Sequence, residues 1–480
     1  MLERASQDRI AVPFSGPAGT APLTWGQKTT LIRMREAGWR ESGWRREGTF
    51  GRLAAFSAAF YTPEPEGTTV EEVAAQISDM TARHAALRLR LGTDSGGRPC
   101  QVVAGSGRVF LDIVTIPDAD DPADVTTYAN ELWFERMFAP VDLDRDLPVQ
   151  MAVIRHRGVI RCRVWMIHNI AVDGEAATLL AFGDAAGRRL ADPSAMSSLD
   201  LARREQTPAL RRVSDRAMRH WESHLRHIPA LTFGEPTHPD GRLGERYWHG
   251  EFVSPAAHLA ILAIAGRTKT DTSRVLLAII AIAIGRVTGL SQLTTRVFVN
   301  NRFRPGYAEI IAPLNQASVV TIDLGDATVD EVVARTRRAM LPAGLHGYYD
   351  PEQLQELRAR LDIERGYPAW LTCLFSDGRG RTKPPADAAA RGGQVTMEEI
   401  KRRLPETTMS WNGTVDVSPD QARLVVDNQP DTIAVGLIFD MACFTEAQVE
   451  ALARGIEEVA VAAAFDPAVP AGIEAGPAPA

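Results

Sequence analysis

Residues 164–180 read VWMIHNIAVDGEAATLL. An apolar run stops at His168 and Asn169, crosses 170–172 and reaches Asp173-Gly174, after which a helix-like apolar pattern resumes. Upstream, PVQMAVIRHR and GVIRCRVWMIHN read as a strand pair joined at 156–158. A strand that ends on an imidazole, followed by a turn whose Asp-Gly opens a helix, holds polar side chains at a fixed place. By itself the pattern fits a packed core histidine and a turn aspartate equally well. The surrounding chain decides between the two readings.

The chain has 480 residues, 45% hydrophobic and 24% charged, an ordinary globular composition long enough for two cores. Its net charge of -7 gives no general attraction to polyanions, which argues against nucleic acid as the partner. The arginine-rich stretch RMREAGWRESGWRREG is local and reads as a solvated helix face. Cys100, Cys162, Cys373 and Cys443 lie far apart, without metal-ligand spacing, so no metal is expected. The N-terminus lacks an apolar signal core, and VLLAIIAIAIG at 275–285 is too short to span a bilayer. These features predict a soluble, cytoplasmic protein with no membrane partner.

Pattern reading predicts mixed α and β structure in two halves. Residues 1–20 read as a flexible arm and 21–235 as a first half carrying HNIAVDG. A Gly/Pro-rich stretch then leads into a second half over 236–465, and the Pro/Ala-rich 466–480 reads as a disordered tail. PLTWGQKTTLIRMREAG has Thr24 as a helix cap, and DTSRVLLAIIAIAIGRVTG is a long buried helix capped at Asp271 or Thr272.

Several segments, in order, resemble the condensation domains of nonribosomal peptide synthetases, within the chloramphenicol-acetyltransferase-like acyltransferase superfamily. Residues 168–174 match that family's H-H-x-x-x-D-G at His168, Asp173 and Gly174, with Asn169 where the second histidine belongs. LTWGQ at 23–27, RHAALRLRL at 83–91, MFAPVDLDRDLPVQMAVIRH at 137–156 and HWESHL at 220–225 resemble motifs of its first half. VFVNNR at 297–302, IIAPLNQASVVTIDL at 310–324 and LHGYYDPEQL at 345–354 resemble those of its second half. The resemblance implies an α/β (α+β) pseudo-dimer of two acetyltransferase-like halves in a V with a central tunnel.

It also implies roles. The second histidine is the family's usual catalytic residue, and an amide at Asn169 cannot accept a proton near neutral pH. Its NH2 group can still donate to an oxyanion. His168 is the nearest titratable group, although the family's first histidine packs structurally. Asp173 is expected to pair with an arginine, Arg302 or Arg88, because a buried carboxylate needs one. Gly174 follows it in the motif. Asn315 and Trp165 are candidates for the tunnel lining, as is Trp370.

Neither a phosphate-binding loop nor a nucleophile elbow is present. The resemblance therefore implies a freestanding, monomeric acyltransferase that binds no cofactor of its own. Phosphopantetheine would come from an acyl or peptidyl carrier protein, or from CoA, acting in trans on a small-molecule acceptor amine or hydroxyl. The altered signature equally fits a scaffold that recruits carrier or tailoring proteins, or a cyclase acting on a tethered intermediate.

Overall fold

A computed structural model describes residues 5–36, 57–118, 120–121, 124–137, 141–182, 196–233, 246–368, 371–379, 395–415 and 420–474. The chain divides into two compact units. Unit 1 comprises Met1–Arg211 with Asn300–Asn315, and unit 2 comprises Arg212–Val299 with Gln316–Ala480.

Unit 1 runs β1 (Ser6–Ser15), β2 (Gly19–Pro22), α1 (Trp25–Glu36), β3 (Ser57–Pro63), α2 (Val70–Arg83), β4 (Leu89–Thr93), β5 (Pro99–Val103) and β6 (Ser106–Thr115). It continues with α3 (Asp124–Met137), β7 (Val149–His156), β8 (Val159–His168), α4 (Gly174–Phe182) and α5 (Ser198–Glu205). The main sheet has the order β1-β6-β7-β8-β3, and β2-β5-β4 form a smaller one. The expected strand pair is the β7–β8 hairpin, in antiparallel register from Val149 opposite Ile167 to His156 opposite Val159. Alternation along it feeds two cores, because successive side chains point to opposite faces. Met151, Val153, Trp165 and Ile167 face one cluster, with Val73 and Ile77 of α2 and Ala176 and Leu180 of α4. Ala152, Ile154, Cys162 and Val164 face another, with Tyr128, Ala129 and Leu132 of α3. The strand is therefore buried on both sides, which explains its nearly unbroken apolar run.

Residues 6–15, expected to be loose, form the edge strand β1, paired along its length with β6. Val12 and Phe14 are its buried residues, and such sparse alternation among polar neighbours concealed the strand.

Unit 2 holds α6 (Pro208–Leu225), β9 (Tyr247–Ser254), α7 (Pro255–Thr268), α8 (Thr272–Thr288), β10 (Gln292–Val299), β11 (Gln316–Asp323), α9 (Val329–Leu345) and α10 (Pro351–Arg365). They are followed by β12 (Cys373–Asp377), α11 (Met397–Arg403), β13 (Thr408–Val415), β14 (Ala422–Asp427), β15 (Ile433–Asp440) and α12 (Glu446–Ala463). Its sheet has the order β11-β10-β12-β14-β15-β9-β13. Asp271 caps α8 by accepting from Arg274 N–H at 3.1 Å. Every residue of α8 from 275 to 285 is buried, as an all-round apolar helix requires.

The boundary drawn at 235/236 lies later than the structural one at 211/212. Most of α6 belongs to unit 2, because Ala217, Trp221 and Leu225 pack with Val319 of β11 and with Leu357 and Leu361 of α10. A single cut also misses residues 300–315, the connection between β10 and β11, which cluster with unit 1. Residues 236–245 of the proposed boundary, and Trp370, lie outside the described residues.

The C-terminal stretch, expected to be disordered, is fastened as far as Ile473. Ala471 is fully buried. Its N–H donates to Ala327 O at 2.7 Å, Val329 N–H donates to Val469 O at 2.9 Å, and Asp326 N–H donates to Ile473 O at 3.0 Å. The Arg286 Nε–H also donates to Ala471 O at 2.7 Å. Low sequence complexity did not reveal these backbone partners. Among the described residues, no helix is long and apolar enough to cross a membrane.

Deleting residues 466–480 should therefore lower Tm, by roughly 2–4 °C for each kcal/mol lost. Thermal unfolding followed by circular dichroism checks this, and an unchanged Tm would mean that the tail is dispensable.

Candidate functional site

The motif loop follows β8 and is held from three directions within unit 1. The key side chain is Asp173, with only 1% of its side chain exposed. Its Oδ1 accepts from Ala176 N–H at 2.8 Å, capping the first turn of α4, and from Arg302 Nη2 at 2.8 Å. Its Oδ2 accepts from Leu314 N–H at 2.9 Å and from Asn315 N–H at 3.1 Å. One carboxylate thus joins the loop, the helix and the 300–315 segment. Gly174 begins α4 immediately after it.

Arg302 is the partner, and Arg88 is not. The Arg302 guanidinium also donates to Ile310 O at 2.7 Å and Ala312 O at 3.2 Å, so it braces its own segment as well as the aspartate. The two asparagines of VNNR prepare it. Asn300 Oδ1 accepts from Arg302 N–H at 3.2 Å, and Asn301 adopts φ 58° while its Nδ2 donates to Leu314 O at 2.8 Å. Asparagine tolerates that left-handed conformation better than most residues. Arg88, buried elsewhere in unit 1, donates to the carbonyls of Thr81, Pro17 and Ala104. It ties the end of α2 to the loops at Pro17 and Ala104 and takes no part in the motif.

His168 ends β8 and is buried. Its Nδ1 accepts from Ile170 N–H at 3.1 Å, which places the neutral ring's proton on Nε2. Its carbonyl accepts from Ala171 N–H at 2.9 Å, and its own N–H donates to Pro148 O at 2.7 Å. Burial pulls its pKa down from 6.5 to about 3. This imidazole organises the turn and is not a base at neutral pH.

Asn169 is half-buried, and its side-chain amide makes no hydrogen bond among the described residues. Its backbone is fixed: the Thr30 hydroxyl, on α1, reaches both Asn169 O and Gly26 O at 3.2 Å. Helix α1 starts from a capping box in which Gln27 N–H donates to Thr24 Oγ1 at 3.2 Å and Thr24 N–H donates to Gln27 Oε1 at 2.8 Å. Gly26 is where α1 meets the 300–315 segment: a Cβ there would lie 1.9 Å from Pro313 O. Only glycine allows that approach. Thr30 and Gly26 were not singled out from the sequence, although Gly26 lies inside the LTWGQ motif.

Of the proposed lining residues that are described, Asn315 contributes its backbone N–H to Asp173, and its side chain is half-buried. Trp165 belongs to the core. It is 3% exposed, donates through Nε1 to Thr62 Oγ1 at 3.1 Å and stacks on Phe60 at 5.9 Å. It packs in the cluster that also holds Met151, Ile167, Ala176 and Leu180. Among the described residues, no group of three or more His, Cys, Asp or Glu side chains could hold a metal ion.

A family model for the condensation domain matches residues 55–366. The chain belongs to the condensation-domain family. No curated protein sequence matches it. Among solved structures, it is similar to the SgcC5 protein from Streptomyces globisporus, with TM-score 0.66 and 17% identity over 94% of this chain and 100% of that one. It is also similar to the X-domain from teicoplanin biosynthesis, with TM-score 0.64 and 19% identity over 95% of this chain and 97% of that one. A third likeness is to a condensation domain that mediates chain release from the enacyloxin polyketide synthase, with TM-score 0.65 and 17% identity over 93% of this chain and 83% of that one. The mixed α/β fold expected from the sequence is the two-lobed, chloramphenicol-acetyltransferase-like fold of condensation domains.

Asp173→Asn leaves the buried Arg302 charge without its counter-ion and should cost about 3–5 kcal/mol. Arg302→Met should cost a similar amount, and the double variant much less than the sum. A double-mutant cycle from denaturant unfolding measures this coupling. His168 makes a second prediction. The folded state excludes a proton that the unfolded chain binds below about pH 6.5, so stability falls as pH drops from about 6.5 toward about 3. The stability advantage of wild type over His168→Gln should therefore shrink between pH 7 and pH 4.5, as read by Tm.

Proposed function

We propose that this protein is an acyltransferase. It joins a carrier-protein- or CoA-borne acyl group to an amine or hydroxyl of a small molecule in natural-product biosynthesis. The observation that carries this reading is the intact Asp173 clamp, which holds the 168–174 loop in place and leaves the Asn169 amide uncommitted.

The chemistry follows from the residue types. Attack on a thioester carbonyl builds negative charge on its oxygen, and an Asn169 N–H directed at that oxygen stabilises it. Holding acceptor and carbonyl in line supplies the remainder of the acceleration. Neither Asn169 nor His168 removes the acceptor's proton, so an amine enters as its free base and loses its proton to solvent after attack. The phosphopantetheine arm arrives with the donor and remains on it as the leaving thiol.

Transfer from an acyl-loaded carrier, followed by mass spectrometry, tests the reading. Asn169→Ala should reduce the rate by about 10²–10³-fold, as loss of one oxyanion donor does. Absence of product from wild type, Asn169→Ala and Asn169→His alike, with the donor bound, would overturn it.

A second reading is favoured by the same residue. With an amide in place of the catalytic imidazole, the domain would act by binding partner proteins. The teicoplanin X-domain, similar to this chain at TM-score 0.63 and 20% identity, was solved in complex with OxyB. Tight binding of a carrier or tailoring protein in calorimetry, with no turnover, would select it.

A further inference from the structure

Among the described residues, most buried or half-buried arginines are paired, and the half-buried Arg90 and Arg423 are exceptions. Arg88 meets three carbonyls, Arg302 meets Asp173, Arg163 meets Glu64 at 2.8 Å, and Arg296 meets Asp420. Arg423 lies on β14 of unit 2, and its Nε has no partner. Among the described residues, no carboxylate or carbonyl engages its guanidinium, and burial alone acts on its pKa, lowering it. Arg423 is only partly buried, so solvent meets its charge in the ligand-free protein and its fork of donors is open to a ligand.

The register shows what surrounds it. Arg423 faces away from the unit 2 helices, whose core receives its neighbours Ala422 and Leu424. Leu374 of β12 and Ile438 of β15 lie directly on either side of it, and His249 of β9 lies beyond Ile438. One step along the strands come Val425, Gly436 and Glu251. Gly436 leaves a gap in the row, where a Cβ would touch His249 Nε2 at 3.8 Å. Leu374 and Ile438 are buried. Of the other charges on this face, Arg296 pairs with Asp420, Glu251 accepts from Gln429 at 3.4 Å, and Asp427 lies exposed at the end of β14.

We propose that Arg423 anchors a carboxylate carried by a small-molecule ligand, with the apolar part of that ligand lying along Leu374, Ile438 and the gap at Gly436. A guanidinium presents a planar fork of donors that matches a carboxylate. Among the described residues the backbone N–H groups of this region belong to the sheet ladder and form no nest of amides for a phosphate dianion. A single positive charge balances a single negative one. His249, kept neutral by burial, can add a hydrogen bond from the far side of Ile438. That the ligand is the substrate of acyl transfer rests on the function proposed above; the binding itself does not.

The test uses 3-phenylpropionate, its uncharged amide and inorganic phosphate as probes of the full chain, read by calorimetry and by ligand-induced change in Tm. Wild type should bind the acid roughly tenfold or more tightly than the amide, as a charge-assisted hydrogen bond provides. Arg423→Met should lose that preference, while its ligand-free Tm stays near wild type because no protein partner of the guanidinium is lost among the described residues. Arg423→Lys should keep part of the preference. Equal binding of acid and amide by wild type would overturn the proposal. So would phosphate binding as tight as the acid, or a fall in the ligand-free Tm of Arg423→Met, which would make the guanidinium structural. Acid-selective binding without any acyl transfer would leave this site standing and remove the transferase reading. Transfer without acid selectivity would do the reverse.

Discussion

The carboxylate of Asp173 is the point on which the motif's geometry depends. It is buried, and it receives two backbone amides from the 300–315 segment, one from α4 and one guanidinium N–H from Arg302. Charge-assisted bonds of this kind are stronger than neutral ones, and a buried carboxylate without them would not stay ionised. The interaction has its effect at long range. Arg302 lies 129 residues from Asp173 in the chain, in a connection that leaves the strands of unit 2 to cluster with unit 1. The loop carrying His168 and Asn169 is thereby pinned at its far end, while Thr30 and Pro148 pin its near end.

With the loop held in this way, its two polar side chains have different tasks. His168 spends its only acceptor nitrogen on the Ile170 amide and sits where protonation is strongly disfavoured. Asn169 keeps its amide free while its backbone is fixed. The family's signature therefore survives here as a scaffold, with the imidazole exchanged for a donor that cannot titrate. Chemistry in such a site relies on orientation and on stabilising charge as it develops.

Much of this was legible in the sequence. The β7–β8 hairpin showed itself because two-sided burial gives a long apolar run ending at a polar pair. Helix α8 did so because Asp271 caps a stretch with no polar face, and α1 because Thr24 precedes it. The motif stood out through the ordered family-like segments around it, since its own spacing is ambiguous. What remained hidden depended on tertiary contacts. Nothing local distinguishes Arg302 from Arg88 as the counter-ion: both are arginines in motif-like segments, and only folding brings one to Asp173 and the other to three carbonyls. Helix α6 resembles the end of the first half by motif, yet its apolar stripe finds Val319 and Leu361 in unit 2. The tail looks disordered by composition and is held by backbone bonds that composition cannot encode. Trp165 lies on a strand buried on both sides, so alternation alone does not separate a core position from a lining one.

The central claim is that the motif positions and stabilises but supplies no base. The most direct measurement is the pH dependence of single-turnover acyl transfer to an amine acceptor, for wild type and for Asn169→His. For wild type, the rate should rise with pH only as the acceptor itself loses its proton, with no inflection near pH 6–7. Asn169→His should introduce such an inflection, since an imidazole titrates there. An inflection near pH 6–7 in wild type that vanishes in His168→Gln would contradict the account, because it would make the buried imidazole the base.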